Sequence, residues 1–280
     1  MTYKTIVAVL SAAEDTAKVT EHALALARTC GAHLIGIHAE VPVFMTLVAP
    51  MEYPDPSAVI ALQERARLQT KEVEKVFRSL CERDDIPYEW RLFTGTAGYA
   101  SIGVIESARS ADLVVAGQFD PDFDGPTRAD IEDLLYESGR PLYLVSNAPA
   151  GPAEIERVLV AWNGSRESAR ATFDALPFLL AAREVEIYSV DPPETALQSA
   201  DMSGADIAAS LSRHGVKVTV SPVASRGQSI EVLLNRRASE TGAGLIVMGA
   251  YSHSRLRQRL FGGVTSAMMR DTRVPVLMSR

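Results

Sequence analysis

Cysteine is nearly absent: Cys30 and Cys81 are the only two in 280 residues. They have neither chelate spacing nor further partners. That excludes a disulfide framework, and both read as buried or free thiols of a reducing compartment. Positive charge is short as well, with 28 Lys and Arg against 35 Asp and Glu and a net charge of −7. Phosphate backbones demand clustered basic side chains, so nucleic acid is not an expected partner. Long hydrophobic runs are missing too. The longest, Val41 to Met51, contains Pro42 and Pro50 and is far too short for a bilayer, so no membrane partner is expected. Met1-Thr2-Tyr3-Lys4 leads directly into a strand pattern, without a signal sequence. A cytoplasmic protein is the expectation.

Catalytic machinery is equally thin. No lysine follows a Gly-rich turn as in a P-loop, and no carboxylate stands convincingly for magnesium. Neither cysteine lies near a base and acid pair. His33 and His38 are five apart on a strand pattern, so they point to opposite faces and cannot share a metal. No catalytic residue and no metal ligand is assigned.

What remains is ordinary globular composition, 47% hydrophobic and 22% charged, in a chain long enough for two domains of about 140 residues. The organisation is a repeat. Ile6-Val7-Ala8-Val9-Leu10 is echoed by Val158-Leu159-Val160-Ala161-Trp162, and Leu113-Val114-Val115-Ala116-Gly117 by Leu245-Ile246-Val247-Met248-Gly249. The closing strands Pro141–Val145 and Pro275–Ser279 correspond in the same way. Asn147-Ala148-Pro149-Ala150-Gly151-Pro152 between the copies has linker composition, which predicts domains at 1–148 and 153–280.

In the first copy, strands near 5–10, 33–39, 88–93, 111–117 and 141–146 alternate with helices near 14–30, 57–84, 97–109 and 127–138. The second has strands near 157–162, 184–190, 216–222, 244–249 and 275–279. Val73, Val76, Phe77 and Leu80 form the apolar face of a helix laid on a sheet. Continuous apolar strands between helices imply an α/β fold: two tandem Rossmann-like domains, each a five-stranded parallel sheet flanked by helices. Ligands of such sheets bind at the carboxyl ends of the strands.

The second copy has chemistry at that place. Its fourth strand ends at Gly249 and passes through Ala250-Tyr251-Ser252-His253-Ser254-Arg255 to Gly262-Gly263-Val264-Thr265, which opens a helix. Glycines let backbone approach an anion, and free N–H groups at a helix start donate to it. Arg255, Arg257 and Arg259 add cationic reach. The stretch resembles the signature of the universal stress protein family: Gly, two residues, Gly, nine residues, Gly and Ser or Thr. Ser252 stands where the middle glycine is expected, and Gly263 where the Ser or Thr is expected. A positive φ at Ser252 costs about 1 kcal/mol or more.

The resemblance covers essentially the whole chain and implies a tandem member, with stress-linked function and adenine-nucleotide binding (ATP or AMP, with or without magnesium) in the C-terminal domain alone. It also implies pairing of domains, often through the last strands, here as an intramolecular pseudo-dimer or a homodimer. By the same resemblance, Ala161, Trp162 and Asn163 follow the first strand at the pocket. Family members usually have aspartate where Asn163 sits; Asn163 can contact adenine or ribose, or simply cap the next helix. Trp162 can stack on a purine or fill its space. Ser189 and Val190 fall where backbone groups meet the adenine edge. Met248 and Gly249 flank the sugar, and Gly262, Gly263, Val264 and Thr265 hold phosphates. His253 and Arg255 reach the phosphate tail or are solvated loop residues.

The first copy lacks the cradle. After Gly117 it reads Gln118-Phe119-Asp120-Pro121-Asp122-Phe123-Asp124-Gly125, and those carboxylates repel a triphosphate. Asp120, Asp122, Asp124 and Gly125 open like a calcium loop, but Ile131 holds the twelfth position, where a bidentate glutamate belongs. A solvated acidic loop is the preferred reading. The proline-rich, apolar segment 41–56 reads as a loop packed on a neighbouring helix, or as a lid or partner surface. The function expected is nucleotide binding. Its alternative is an interaction or chaperone-like protein without nucleotide, and catalysis is at most slow ATP hydrolysis.

Overall fold

The computed structural model describes residues 2–40, 56–95, 97–118, 131–148, 151–192, 202–251 and 263–280. The segment 41–55, the acidic loop 119–130 and the loop 252–262 lie outside these. By compactness the chain forms two units. One runs from Tyr3 to Gly117 and includes the helix at 131–137; the other is Gly139–Arg280 together with Gln118.

The first unit comprises β1 (Thr5–Val9), α1 (Ala13–Cys30), β2 (His33–Glu40), α2 (Pro56–Arg83), β3 (Tyr88–Thr94), α3 (Ala97–Arg109), β4 (Leu113–Gly117) and α4 (Ile131–Glu137). Its strands lie parallel in the order β3-β2-β1-β4. The central strands β1 and β4 are buried on both faces, as a parallel sheet under two helix layers requires. Glu14 and Asp15 in the first turn of α1 complement its dipole. The helix stops at Gly31, whose φ of 59° lets its N–H return to the Ala27 and Arg28 carbonyls. On α2, Val73 and Phe77 are buried in the core while Val76 and Leu80 are half-buried, the stripe that the spacing predicts.

The second unit comprises β5 (Leu142–Val145), β6 (Arg157–Ala161), α5 (Arg166–Asp174), α6 (Leu176–Ala181), β7 (Glu184–Val190), α7 (Ala205–Arg213), β8 (Val218–Val223), α8 (Ile230–Thr241), β9 (Leu245–Gly249), α9 (Val264–Arg270) and β10 (Val276–Ser279). The order is β5-β10-β9-β6-β7-β8. The strands β10, β9, β6, β7 and β8 are parallel. The α/β fold is the one the alternation of elements predicts. One pairing departs from a purely parallel sheet: β5 runs antiparallel to β10, with Leu144 opposite Val276 and Leu142 opposite Met278. These two strands close the two sequence copies. Each is buried along its whole length.

Candidate functional site

In the second unit the chain leaves β6 toward β7 on one side and returns from β8 to β9 on the other. The strand order therefore reverses between β6 and β9, and a crevice of such a sheet opens at the carboxyl ends there. Ala161 ends β6, opposite Tyr188 on one side and Met248 on the other. Trp162 follows, its N–H donated to the Tyr188 carbonyl at 2.9 Å. Ser189 and Val190 end β7, opposite Pro222 and Val223. Gly249 ends β9, opposite Ser279. Ala161, Trp162, Ser189, Val190, Met248 and Gly249 thus meet at one end of adjoining strands. Gly263, Val264 and Thr265 lie at the start of α9. Ser252, His253, Arg255 and Gly262 fall outside the described residues.

Ser189 is fully buried, yet its hydroxyl has no hydrogen-bond partner among the described residues. An unsatisfied buried hydroxyl costs about 1–3 kcal/mol, so it calls for an explanation. The Ser279 hydroxyl, beside Gly249, is likewise buried and unpaired.

Asn163 and Ser165 build the entry to α5. Asn163 Oδ1 accepts the Ser165 N–H at 3.1 Å, and Ser165 Oγ accepts the Ser168 N–H at 3.1 Å. Ser165 is therefore the helix cap, and Asn163 shapes the turn before it. Its amide nitrogen is left for other partners.

Gly249 proves to be a packing glycine. A Cβ there would lie 2.4 Å from the Ser168 nitrogen and 2.5 Å from the Glu167 carbonyl carbon. The first turn of α5 rests directly on the strand end, and no side chain fits between. Glu167 itself is buried. Burial pushes its carboxyl up, but the Arg166 guanidinium, its own backbone N–H and Ser165 outweigh this and hold it below the ordinary glutamate value. Its contribution to stability is then complete above the unfolded value near pH 4.3 and is lost as pH falls through the lower folded value. Acid unfolding followed by circular dichroism should be shallower below about pH 4.3 in Glu167→Gln than in the parent chain. Superimposable acid limbs would remove Glu167 from the pH response.

Sequence reasoning missed two further residues. Tyr251 adopts a φ of 56°, a left-handed conformation costly for a bulky residue by about 1 kcal/mol or more. Its N–H is donated to Thr265 Oγ1 at 3.2 Å and its phenol approaches Met269 Sδ at 3.9 Å, so Tyr251 is latched to α9. Thr265, only 4% exposed, keeps its own hydroxyl proton for donation.

The second is His38 of the first unit. Leu10 donates its N–H to Ile37 as Trp162 does to Tyr188, so His38 is the counterpart of Ser189. His38 is 6% exposed, and its Nδ1 lies 2.6 Å from the Leu10 carbonyl. A carbonyl can only accept, so Nδ1 carries the proton. Burial pulls the imidazole pKa down, against the Leu10 contact and Glu40, which raise it. The ring stacks toward Trp90, centroids 6.4 Å apart. An imidazole thus fills the end of β2 where the second unit has a small, unpaired hydroxyl.

Among the described residues, no group of three or more His, Cys, Asp or Glu is gathered to hold a metal ion, and no helix is long and apolar enough to cross a membrane.

Comparison with known proteins agrees with this architecture. No curated protein matches the chain. A universal stress protein from Archaeoglobus fulgidus DSM 4304 superposes with a TM-score of 0.70 at 18% identity, covering 98% of this chain and 96% of that one. A functionally unknown protein from Pseudomonas aeruginosa PAO1 gives 0.53 at 15% identity, covering 99% and 92%. At such identities the likeness is one of fold. The model of the universal stress protein family matches residues 154–280. Those residues hold β6 to β10 with the strand-end crevice, so the second copy carries a domain of the universal stress protein family.

Proposed function

We propose that this protein binds an adenine nucleotide, ATP or AMP, in its C-terminal domain as part of a stress response. The observation that carries the reading is the contrast at the end of the second strand of each copy. His38 occupies that place in one unit, while in the other Ser189 leaves a buried hydroxyl without a partner beside Trp162. A purine edge seated there supplies the missing hydrogen bond. Ala161, Trp162, Asn163, Val190, Met248 and Gly249 surround it in the proposal, with phosphates at Gly262, Gly263, Val264 and Thr265. Ser252, His253 and Arg255 complete the set. The free N–H groups at the start of a helix and its dipole favour an anion there. The N-terminal copy, with His38 in place, is proposed to take no nucleotide.

We further propose that the copies at 1–148 and 153–280 form an intramolecular pseudo-dimer in a cytoplasmic protein. The antiparallel pairing of their closing strands, β5 and β10, supports this.

One observation favours the alternative of an interaction protein without nucleotide. Thr265 is almost wholly buried and already receives the Tyr251 N–H. Isothermal titration of the full chain with ATP, ADP and AMP decides between the two. One nucleotide per chain is the expected result. No heat and no shift of melting temperature with any of them would leave the interaction reading standing.

A further inference from the structure

The strand β3 is the outermost of the first unit, as β8 is of the second. Among the described residues, no strand pairs with the outer edge of either. The ladders show which backbone groups are spare there. Leu34 donates its N–H to the Pro87 carbonyl and Gly95 donates to Glu40, so the odd-numbered residues of β3 bond to β2. The N–H and C=O groups of Tyr88, Trp90, Leu92 and Thr94 therefore point outward. In β8, Val185 donates to Lys217 and Asp191 to Val223, which leaves Val218, Val220 and Pro222 outward.

One position separates the two edges. Leu92 lies opposite His38 and Pro222 opposite Ser189, so Leu92 and Pro222 are counterparts. Proline has no N–H to offer a further strand, and it closes the β8 edge. The seven residues of β3 include no proline, glycine or lysine, and none of them is buried. Leu92 is 43% exposed.

We propose that the outer edge of β3 is an interface with a second copy of this chain, the two strands pairing antiparallel about a two-fold axis at Trp90. Charge selects this register. With Trp90 opposite its own counterpart, Glu89 of each chain lies opposite Arg91 of the other, and Tyr88 lies opposite Leu92. Centring on Glu89 or Arg91 would set like charges face to face, which is destabilising. Centring on Leu92 would set them against Gly95 and Phe93. The side chains are already ordered for the contact. Arg91 donates to Glu89 at 2.8 Å and to Ser107 Oγ at 3.2 Å, and the Trp90 ring packs on Phe77 with centroids 5.5 Å apart. Little side-chain freedom is left to lose on association.

Analytical ultracentrifugation of the full chain tests this. The parent should sediment as a dimer at micromolar concentration. Arg91→Glu and Glu89→Arg each turn two attractive cross-strand pairs into repulsive ones, and each should weaken the dimer at least about tenfold. Combining them exchanges the charges but keeps their complementarity, so the double variant should dimerise as the parent does. Leu92→Pro gives β3 the residue that β8 carries, spares the ladder to β2, and should yield a folded monomer by circular dichroism. A monomeric parent, or dimers of undiminished affinity in both single charge variants, would overturn the interface. So would a folded double variant that fails to recover the dimer, or a dimer that persists in folded Leu92→Pro.

Discussion

Replacing Gly249 by alanine is expected to destabilise the second unit by about 3 kcal/mol, the upper end of the range for overpacking. The added carbon would meet the Ser168 nitrogen at 2.4 Å and the Glu167 carbonyl carbon at 2.5 Å. Both are backbone atoms of a helix turn, so no rotamer change relieves the clash. The whole of α5 must lift from β9. Gly117, the counterpart in the first copy, meets a softer obstacle, Asp15 Oδ2 at 2.8 Å, which belongs to a side chain. Gly151→Ala, with nothing within 4 Å of the new carbon, serves as the neutral control. Urea unfolding of the three variants should rank them in that order, Gly249 worst. A Gly249→Ala midpoint equal to that of the Gly151→Ala control would refute the packing role. If the role holds, loss of nucleotide binding in a Gly249 variant says nothing about contact with a sugar.

Ser189→His is expected to abolish nucleotide uptake, with affinity falling at least about a hundredfold, while the chain stays folded. The substitution moves into the second copy the residue that its counterpart already holds at β2. There the imidazole donates to the Leu10 carbonyl and lies almost buried, and the Trp162 carbonyl offers the same acceptor to a histidine at 189. The ring would then stand where the purine edge is proposed to dock. Titration with ATP and a parallel melting curve separate the two effects. Undiminished affinity in a folded Ser189→His chain would show that the base does not sit at the end of β7, and the pocket would have to be sought elsewhere.

Both predictions start from residues whose importance is uneven in the sequence. Gly249 is conspicuous there, ending an apolar strand before a glycine-bearing loop, and it reads as a ligand-facing glycine. What it faces among the described residues is Glu167 and Ser168, far upstream in sequence, a relation that local pattern does not contain. Ser189 is one polar residue at the end of a strand, and only burial without a partner singles it out. His38 was visible as a histidine on a strand pattern. Its role as a plug needs the knowledge that it occupies the place of Ser189, which comes from strand register.

The same division runs through the fold. Periodicity alone placed the strands of both copies to within about two residues and the helices of the first, because burial on one face or both repeats with the geometry of a helix or strand over a few residues. The doubled order of those elements likewise set the α/β class and the parallel sheets. Tertiary structure alone decided where volume is placed. Gly36 lies under the Phe77 ring in one unit, whereas Ile187 of the corresponding strand position lies against Gly204 in the other, two solutions that fill the same kind of space. It also decided that β5 pairs antiparallel with β10, since short strands buried along their whole length have no alternation to specify a neighbour. Local pattern records how a segment meets water. Which distant segment covers it depends on shape and on the hydrogen bonds left to satisfy, and those exist only once the chain has folded.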